Sequence, residues 1–458
     1  RISRRRVFEI APGCSWLAPV SKPESIFHVM RIIRHTQKNY ASAIRKLDRR
    51  SAPPAGVEAV VRDIIEDVEK RGDKALIEFS NKFDKAGFKT AKDLRVTEAE
   101  LAATEDAVDA KTKRAIAASR KNVIAFAKKS LRKDWSGKNS QGGEVGERYL
   151  PFERVGIYVP GGTAPLVSTS NMTVCLAAAA GCPEIVVMTP PGPGGTVNPA
   201  LLYALKEAGA TEIYKVGGAQ GMAGMSIGTK TIRPVLKVYG PGNSFVVEAK
   251  RQLFGVVAVD LLPGPSEVVV LADNSGNAKY IAADMLAQAE HGGDSIMGFV
   301  TDSEELLEKV QAEVNRQIKE LSRQDQLKKA LKDGAWCVLV ESLDEGVDIV
   351  NAFAPEHLSL ITRREKNILP KITTSGAIFV GNYSPVAVGD FLAGPSHELP
   401  TGGAGKSFPG LTVDMFQRRT SIVKLDRDSI RKSAPIVEEF AKVEGLDAHG
   451  RSATIRLE

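Results

Sequence analysis

Apolar residues recur at three- and four-residue steps along Val57-Glu-Ala-Val-Val-Arg-Asp-Ile-Ile-Glu-Asp-Val-Glu-Lys, and the run stops at Arg71-Gly72. That spacing predicts an amphipathic helix closed by a glycine. Helical patterning continues to about Lys129, and beyond Phe152 the texture changes. Val155-Gly-Ile-Tyr-Val leads into Pro160-Gly-Gly, and Glu184-Ile-Val-Val-Met leads into a Pro/Gly turn and a helix from about Pro199. Ile213-Tyr-Lys-Val ends in Gly217-Gly218, and Val235-Leu-Lys-Val-Tyr ends in Gly240-Pro-Gly-Asn. After Pro263-Gly-Pro-Ser266 the alternation resumes with Glu267-Val-Val-Val-Leu. Helices are predicted over 276–291, 303–323 and 344–352, and strands over 296–300 and 336–340. Short β-rich runs alternating with helices imply parallel sheets with crossover helices. Two α/β units joined near residues 263–266 follow, with ligands expected beyond the strand carboxyl ends, where the glycines cluster. The tail from about Thr401 is glycine-rich and then helical, as suits an appended arm.

A chain of 458 residues suggests two or three domains. With 43% hydrophobic and 26% charged residues it has the composition of a soluble globular protein. The best membrane candidate, Val174–Met188, is broken by Gly181, Pro183 and Glu184, so no spanning helix is expected. Much of the net charge of +7 comes from residues 1–50, where twelve Lys and Arg face three acids. No basic stripe interleaved with aromatics accompanies it, which argues against a nucleic-acid partner. The basic start is read as a plain extension, with a targeting remnant as the alternative. Cys14, Cys175, Cys182 and Cys337 show no CxxC or framework spacing, so reduced thiols in a cytoplasmic compartment are expected. Cys175 and Cys182 lie in an apolar, alanine-rich run and read as packing thiols rather than nucleophiles.

Candidate chemistry gathers late in the chain. Four of the six histidines lie in dense polar motifs: Gln288-Ala-Glu-His291, Pro355-Glu356-His357, Gly394-Pro-Ser-His397 and Glu444-Gly-Leu-Asp-Ala-His449. Imidazoles grouped with Gln, Asp and Glu supply metal ligands and a base active near neutral pH. Gln288 and His291, three apart at a predicted helix end, share one face as a common metal requires; a surface helix end with a cation is the plain alternative. Glu356 and His357 form an acid/base pair at the mouth of a strand, or else a solvated turn. Asp390 sits among apolar and small residues, where a metal or an N-cap role would satisfy its charge. The three glycine turns let backbone N–H groups approach phosphates, although none is a GxGxxG fingerprint and each alone reads as a tight turn.

These motifs together resemble the histidinol dehydrogenase family. The matching text is Val155-Gly-Ile-Tyr-Val-Pro-Gly-Gly-Thr-Ala-Pro-Leu, Gly217-Gly-Ala-Gln, Gly240-Pro-Gly-Asn, Gly264-Pro-Ser-Glu-Val, Gln288-Ala-Glu-His, Phe353-Ala-Pro-Glu-His-Leu, Ala393-Gly-Pro-Ser-His-Glu-Leu-Pro-Thr-Gly-Gly and Glu444-Gly-Leu-Asp-Ala-His. The resemblance runs from about Val57 to the end. It implies one zinc per subunit on Gln288, His291, Asp390 and His449, and a catalytic pair Glu356 and His357. Substrate contacts would fall on Ser266, Gln288, His291, His357, Asp390, Glu444 and His449, and NAD contacts on Tyr158, Gln220 and Asn243. The implied reaction oxidises L-histidinol through L-histidinaldehyde to L-histidine with two NAD, in a cytoplasmic homodimer with shared active sites. Organellar targeting by the basic start is the alternative location.

The expected fold is α/β, with two Rossmann-like parallel-sheet domains and small N- and C-terminal helical extensions. Residues 1–51 form a basic N-terminal extension, and 52–150 plus 266–400 a domain with the zinc and the catalytic pair. Residues 151–265 form the NAD-binding domain, and 401–458 an arm completing the partner subunit's site. Ser396 stands where the family has Asn, and Gly403-Ala-Gly-Lys-Ser departs from its usual wording; both are expected near the pocket. The rival readings are a paralogue oxidising another polar alcohol, such as a sulfonated diol, a zinc hydrolase with Glu356 activating water, and a retired scaffold.

Overall fold

The computed structural model describes residues 30–49, 55–161, 165–292 and 294–458. Residues 1–29 of the expected extension, together with Gly162 and Thr163 of the first glycine turn, lie outside the described residues.

Two parallel sheets organise the chain. The first has the order β6-β5-β4-β7-β8, built from β4 (Arg154–Tyr158), β5 (Glu184–Met188), β6 (Glu212–Tyr214), β7 (Lys237–Tyr239) and β8 (Ala258–Val259). The second has the order β1-β11-β10-β9-β12-β13. Its strands are β1 (Arg31–Arg34), β9 (Glu267–Ala272), β10 (Ile296–Thr301), β11 (Ala335–Leu339), β12 (His357–Ile361) and β13 (Ala377–Val380). Leaving out β1, the two sheets share one winding: the chain starts in the middle, moves outward on one side, then crosses to the other. Each sheet therefore has one switch point, between β4 and β7 in the first and between β9 and β12 in the second.

The continuous apolar runs arise because both faces of each sheet are covered. Along β4 and β5, Val155, Ile157, Ile185 and Val187 enter one core while Tyr158, Val186 and Met188 enter the opposite one. Val268 and Val270 of β9 likewise face away from Val269 and Leu271. This alternation follows from the two-residue period of a strand.

The helix Val57–Arg71 forms as its pattern predicts, burying Val57, Val61, Ile64 and Val68 and ending at Gly72. Its apolar stripe packs on the first sheet with Tyr158, Val186 and Met188, and Val96, Val123 and Ala127 join the core on that sheet's other face. These residues thus join the cores of the first sheet, a choice that periodicity leaves open, because it shows that a helix has an apolar face but not which of two sheets it covers. Residues 31–34, assigned to the extension, form a strand paired in parallel with β11.

A third, antiparallel sheet, β14-β3-β2, was not foreseen; it joins β2 (Trp135–Lys138), β3 (Glu144–Pro151) and β14 (Gln417–Lys424). It leads to the helices Arg427–Glu444 and Asp447–Thr454, which pack on each other as an arm. Along the first of these, Ile436, Val437, Phe440 and Val443 are exposed. No helix among the described residues is long and apolar enough to cross a membrane.

At the switch point of the second sheet, the carboxyl ends are tied together by Asp273. Its side chain accepts from Ser275 N at 2.9 Å, Thr362 Oγ1 at 2.7 Å and Arg363 N at 3.1 Å, while its N–H donates to Ile361 O at 3.2 Å.

Candidate active site

A cleft of about 1560 Å³ opens at the carboxyl ends of the first sheet. The glycine turns meet there: Tyr158, Gly161, Gly218, Gln220, Gly242 and Asn243 all line it. Tyr158 closes β4 and accepts at its hydroxyl from Gly218 N at 3.1 Å; burial pushes its pKa up to about 12, so it stays a neutral phenol. Gln220 is buried in the first turn of the helix Gly218–Ile227. Asn243 caps the helix Ser244–Leu253, accepting from Phe245 N and Val246 N at 3.1 and 3.2 Å.

Between these elements Gly240 has φ +103°, and a Cβ there would lie 2.1 Å from Tyr158 O, so only glycine serves. A buried ion pair holds this glycine at both ends. Lys250 Nζ lies 2.7 Å from Asp260 Oδ1 and also donates to Gly240 O, while Asp260 Oδ2 accepts from Gly240 N at 2.9 Å. Lys250→Met would leave the Asp260 carboxylate buried and unpaired. A loss of roughly 3–5 kcal/mol is expected in denaturant unfolding, and wild-type stability would contradict this role for the pair.

The second sheet meets the cleft from its other end. The glycine turns lie at the carboxyl ends of the first sheet, whereas Glu356 and His357 stand at the amino end of β12. The loop and helix order decides this: the helix Ala278–Ala289 runs back antiparallel to β9 and brings its last turn to the amino ends, placing His291 in the cleft lining with Asp390.

Glu267, the first residue of β9, organises the pair. Its N–H donates to Glu356 Oε2 at 2.7 Å, and its carbonyl lies 3.0 Å from His357 Nδ1. A carbonyl only accepts, so Nδ1 carries the proton and neutral His357 presents the lone pair of Nε2. Nε2 lies 3.6 Å from Asp390 Oδ1. The Glu267 carboxylate accepts from Glu356 N at 3.4 Å and Gly402 N at 2.9 Å, and it is paired with Arg49, whose guanidinium stacks 3.4 Å from the Phe353 ring. Burial lowers the His357 pKa, favouring the neutral base. Burial also lifts Glu356 well above the usual carboxylate range, and the neighbouring carboxylates of Glu267, Asp390 and Glu398 push the same way. Ser266, half-buried, immediately precedes β9.

Asp390 lies in the last turn of the helix Val386–Phe391, which corrects its proposed N-cap role. Its backbone carbonyl accepts from His397 Nδ1 at 2.8 Å; His397 Nε2 lies 3.2 Å from Thr169 Oγ1 and 3.5 Å from Glu398. Burial opposes a charge on His397, but Glu398 and Asp390 outweigh it and raise its pKa. Ser396 is buried and donates to Met172 O at 2.8 Å, so it ties the two units together.

Gln288 is buried with its Nε2 unpartnered. Because amide nitrogen and oxygen exchange by a flip, one amide atom is free to meet a ligand. Gln288, His291 and Asp390 give an N/O donor set of the kind zinc accepts, short of the usual four. Among the described residues no three His, Cys, Asp or Glu of one chain form a ready metal cluster. Of the expected residues Tyr158, Gln220, Asn243, His291 and Asp390 line the cleft, Ser266, Gln288, Glu356 and His357 stand outside its lining, and Glu444 and His449 sit exposed on the arm.

Glu267, Glu398 and Thr169 are not singled out by the sequence, and His397 stands in a polar motif without an assigned role. His397 carried a signal in its motif, whereas Glu267 carried none, since its role depends on β9 pairing with β12. Cys175, Cys182 and Cys337 are buried and free, and burial raises each thiol pKa to about 12, as packing thiols require.

Comparison with known proteins agrees with this arrangement. The histidinol dehydrogenase family profile matches residues 47–457. The chain is 40% identical over 412 residues to histidinol dehydrogenase of Heliobacterium mobile, covering 90% of this chain and 96% of that one. It is 42% identical over 398 residues to the enzyme of Geobacillus kaustophilus, covering 87% and 93%. The crystal structure of histidinol dehydrogenase from Elizabethkingia anophelis superposes with a TM-score of 0.89 at 34% identity, over 94% of this chain and 98% of that one. Family profile, identity and fold agree over nearly the whole length, and the chain belongs to the histidinol dehydrogenase family, oxidoreductases of histidine biosynthesis.

Proposed function

We propose that the chain catalyses the four-electron oxidation of L-histidinol through L-histidinaldehyde to L-histidine, with zinc and two NAD, in a homodimer whose sites are shared. The observation that carries this reading is the Glu356–His357 pair, pinned by Glu267, with His357 Nε2 3.6 Å from Asp390 in the lining of the cleft where the glycine turns of the first sheet converge. Zinc on Gln288, His291, Asp390 and the partner subunit's His449 would polarise the bound amino alcohol, and NAD at Tyr158, Gln220 and Asn243 would accept hydride.

His357 Nε2 takes the hydroxyl proton, since Nδ1 is committed to Glu267 O. Glu356, whose raised pKa makes it a stronger base than an ordinary carboxylate, removes a proton from the water that adds to the aldehyde. Ser266 and the partner subunit's Glu444 orient the substrate. The exposed apolar stripe of the arm supports the homodimer, because Ile436, Val437, Phe440 and Val443 need a covering surface. The unpaired cysteines suit a reducing, cytoplasmic compartment.

The test is NADH formed per L-histidinol by the purified protein, with and without a chelator. Two NADH per substrate, lost with the metal and restored by zinc, is the expected result. A folded, zinc-loaded dimer that forms no NADH would overturn the substrate and redirect the search to other amino and sulfonated alcohols.

A further inference from the structure

In sheets wound like the first one, a dinucleotide usually lies across the switch point. An acidic residue at the end of the second strand then accepts hydrogen bonds from the adenosine ribose. Here that strand is β5, and it ends in Met188-Thr189-Pro190-Pro191, with no acid.

A carboxylate reaches the same place from elsewhere. Asp84 is the last residue of the helix Asp73–Asp84 and lines the cleft beside Tyr158 and the Pro190–Pro193 loop. The following residue, Lys85, is left-handed at φ +55°, and its carbonyl accepts from Gly194 N at 3.0 Å, which ties this segment to the loop after β5.

Within the chain Asp84 has only costs. One carboxylate oxygen, Oδ2, is buried without a hydrogen-bond partner. A negative charge at a helix C-terminus opposes the helix dipole. Burial raises its pKa to about 6. A residue that the fold penalises three ways, and that faces a binding cleft, is explained by a ligand that supplies the missing donors.

We propose that Asp84 is the ribose-binding carboxylate of this cleft, accepting from the vicinal hydroxyls of the adenosine ribose of NAD and repelling a 2′-phosphate. The proposal rests on the NAD-linked reading above and adds to it a source of cofactor choice.

The test compares the full-length protein with Asp84→Asn and Asp84→Ala in initial rates with L-histidinol and either NAD or NADP. The KM for NAD should rise about tenfold to a hundredfold, the scale of hydrogen bonds to a charged acceptor. The KM for histidinol should hold, and the preference for NAD over NADP should fall at least about tenfold.

Stability should move the other way. A carboxyl group whose folded pKa lies above its unfolded value stabilises the fold while protonated and costs stability as pH rises through about 6. Asp84→Asn should therefore melt no lower than the parent at pH 8, unlike the loss of a merely structural residue. An unchanged KM for NAD and an unchanged NAD/NADP ratio in a folded variant would overturn the proposal while the proposed function stood. A parent that forms no NADH would defeat the function reading instead. Titration with ADP-ribose and its 2′-phosphate would still decide the role of Asp84: weaker ADP-ribose binding by the variants supports it, and equal binding overturns it.

Discussion

Replacing His357 by Asn is expected to lower the first oxidation of L-histidinol by about 10²–10⁴-fold, the contribution of a well-placed general base, while zinc stays bound. The argument is positional. Nδ1 is held 3.0 Å from Glu267 O, so the free lone pair is on Nε2, on the side of Asp390. Asn can keep a donor toward Glu267 but offers no base in the place of Nε2. Glu356→Gln should behave differently, because an amide oxygen can still accept from Glu267 N, where Glu356 Oε2 now lies at 2.7 Å. The alcohol step should then persist while aldehyde hydration fails, and NADH per histidinol should fall from two toward one. Rapid-mixing measurement of NADH, with trapping of the aldehyde, separates the two. Full activity in both variants would refute the assigned roles.

Mixing two inactive variants should restore activity if the site is shared between subunits. His449 and Glu444 are exposed on the arm, while Asp390 lines the cleft and His357 Nε2 lies 3.6 Å from its carboxylate. His357→Asn spoils the cleft and His449→Ala spoils the arm, and each homodimer should be nearly inactive. Subunits exchanged at random form hybrids in half the dimers, and each hybrid has one site with an intact cleft and an intact arm. Recovery of about a quarter of wild-type activity follows from two-fold symmetry. No recovery in verified hybrids would place the arm's role within its own chain.

The sequence made the two parallel sheets legible because their strands are mostly apolar and punctuated by glycine, as in β4 and β9, where every residue is buried. The β14–β3–β2 sheet escaped because its strands are largely exposed; Arg418, Arg419 and Lys424 face solvent, and the backbone pairs Gln417 with Pro151 without any apolar alternation. The metal-type donors and the Glu356–His357 pair stood out as motifs, since imidazole and carboxylate side by side have few structural uses. Glu267 was not, because its part in the site exists only once β9 and β12 pair, with His357 opposite Val268. Nor does periodicity say which end of a sheet faces the cleft, although the position of Glu356 and His357 at the mouth of a strand was readable, because Leu358-Ser-Leu-Ile follows them.

That orientation has a consequence for turnover. Both sheets have the winding that elsewhere receives a dinucleotide, but the switch point of the second is stitched shut by Asp273, which bonds the turn after β9 to the residues after β12. Among the described residues only the first sheet keeps its switch point open, which on the proposed reading leaves one berth for a hydride carrier. On the proposed reaction two carriers must use it in turn, so the spent first one has to depart and a fresh one arrive while the half-oxidised substrate stays in place. On that reading the architecture itself would hold release of the substrate apart from release of the carrier, because the two would be gripped by opposite ends of different sheets.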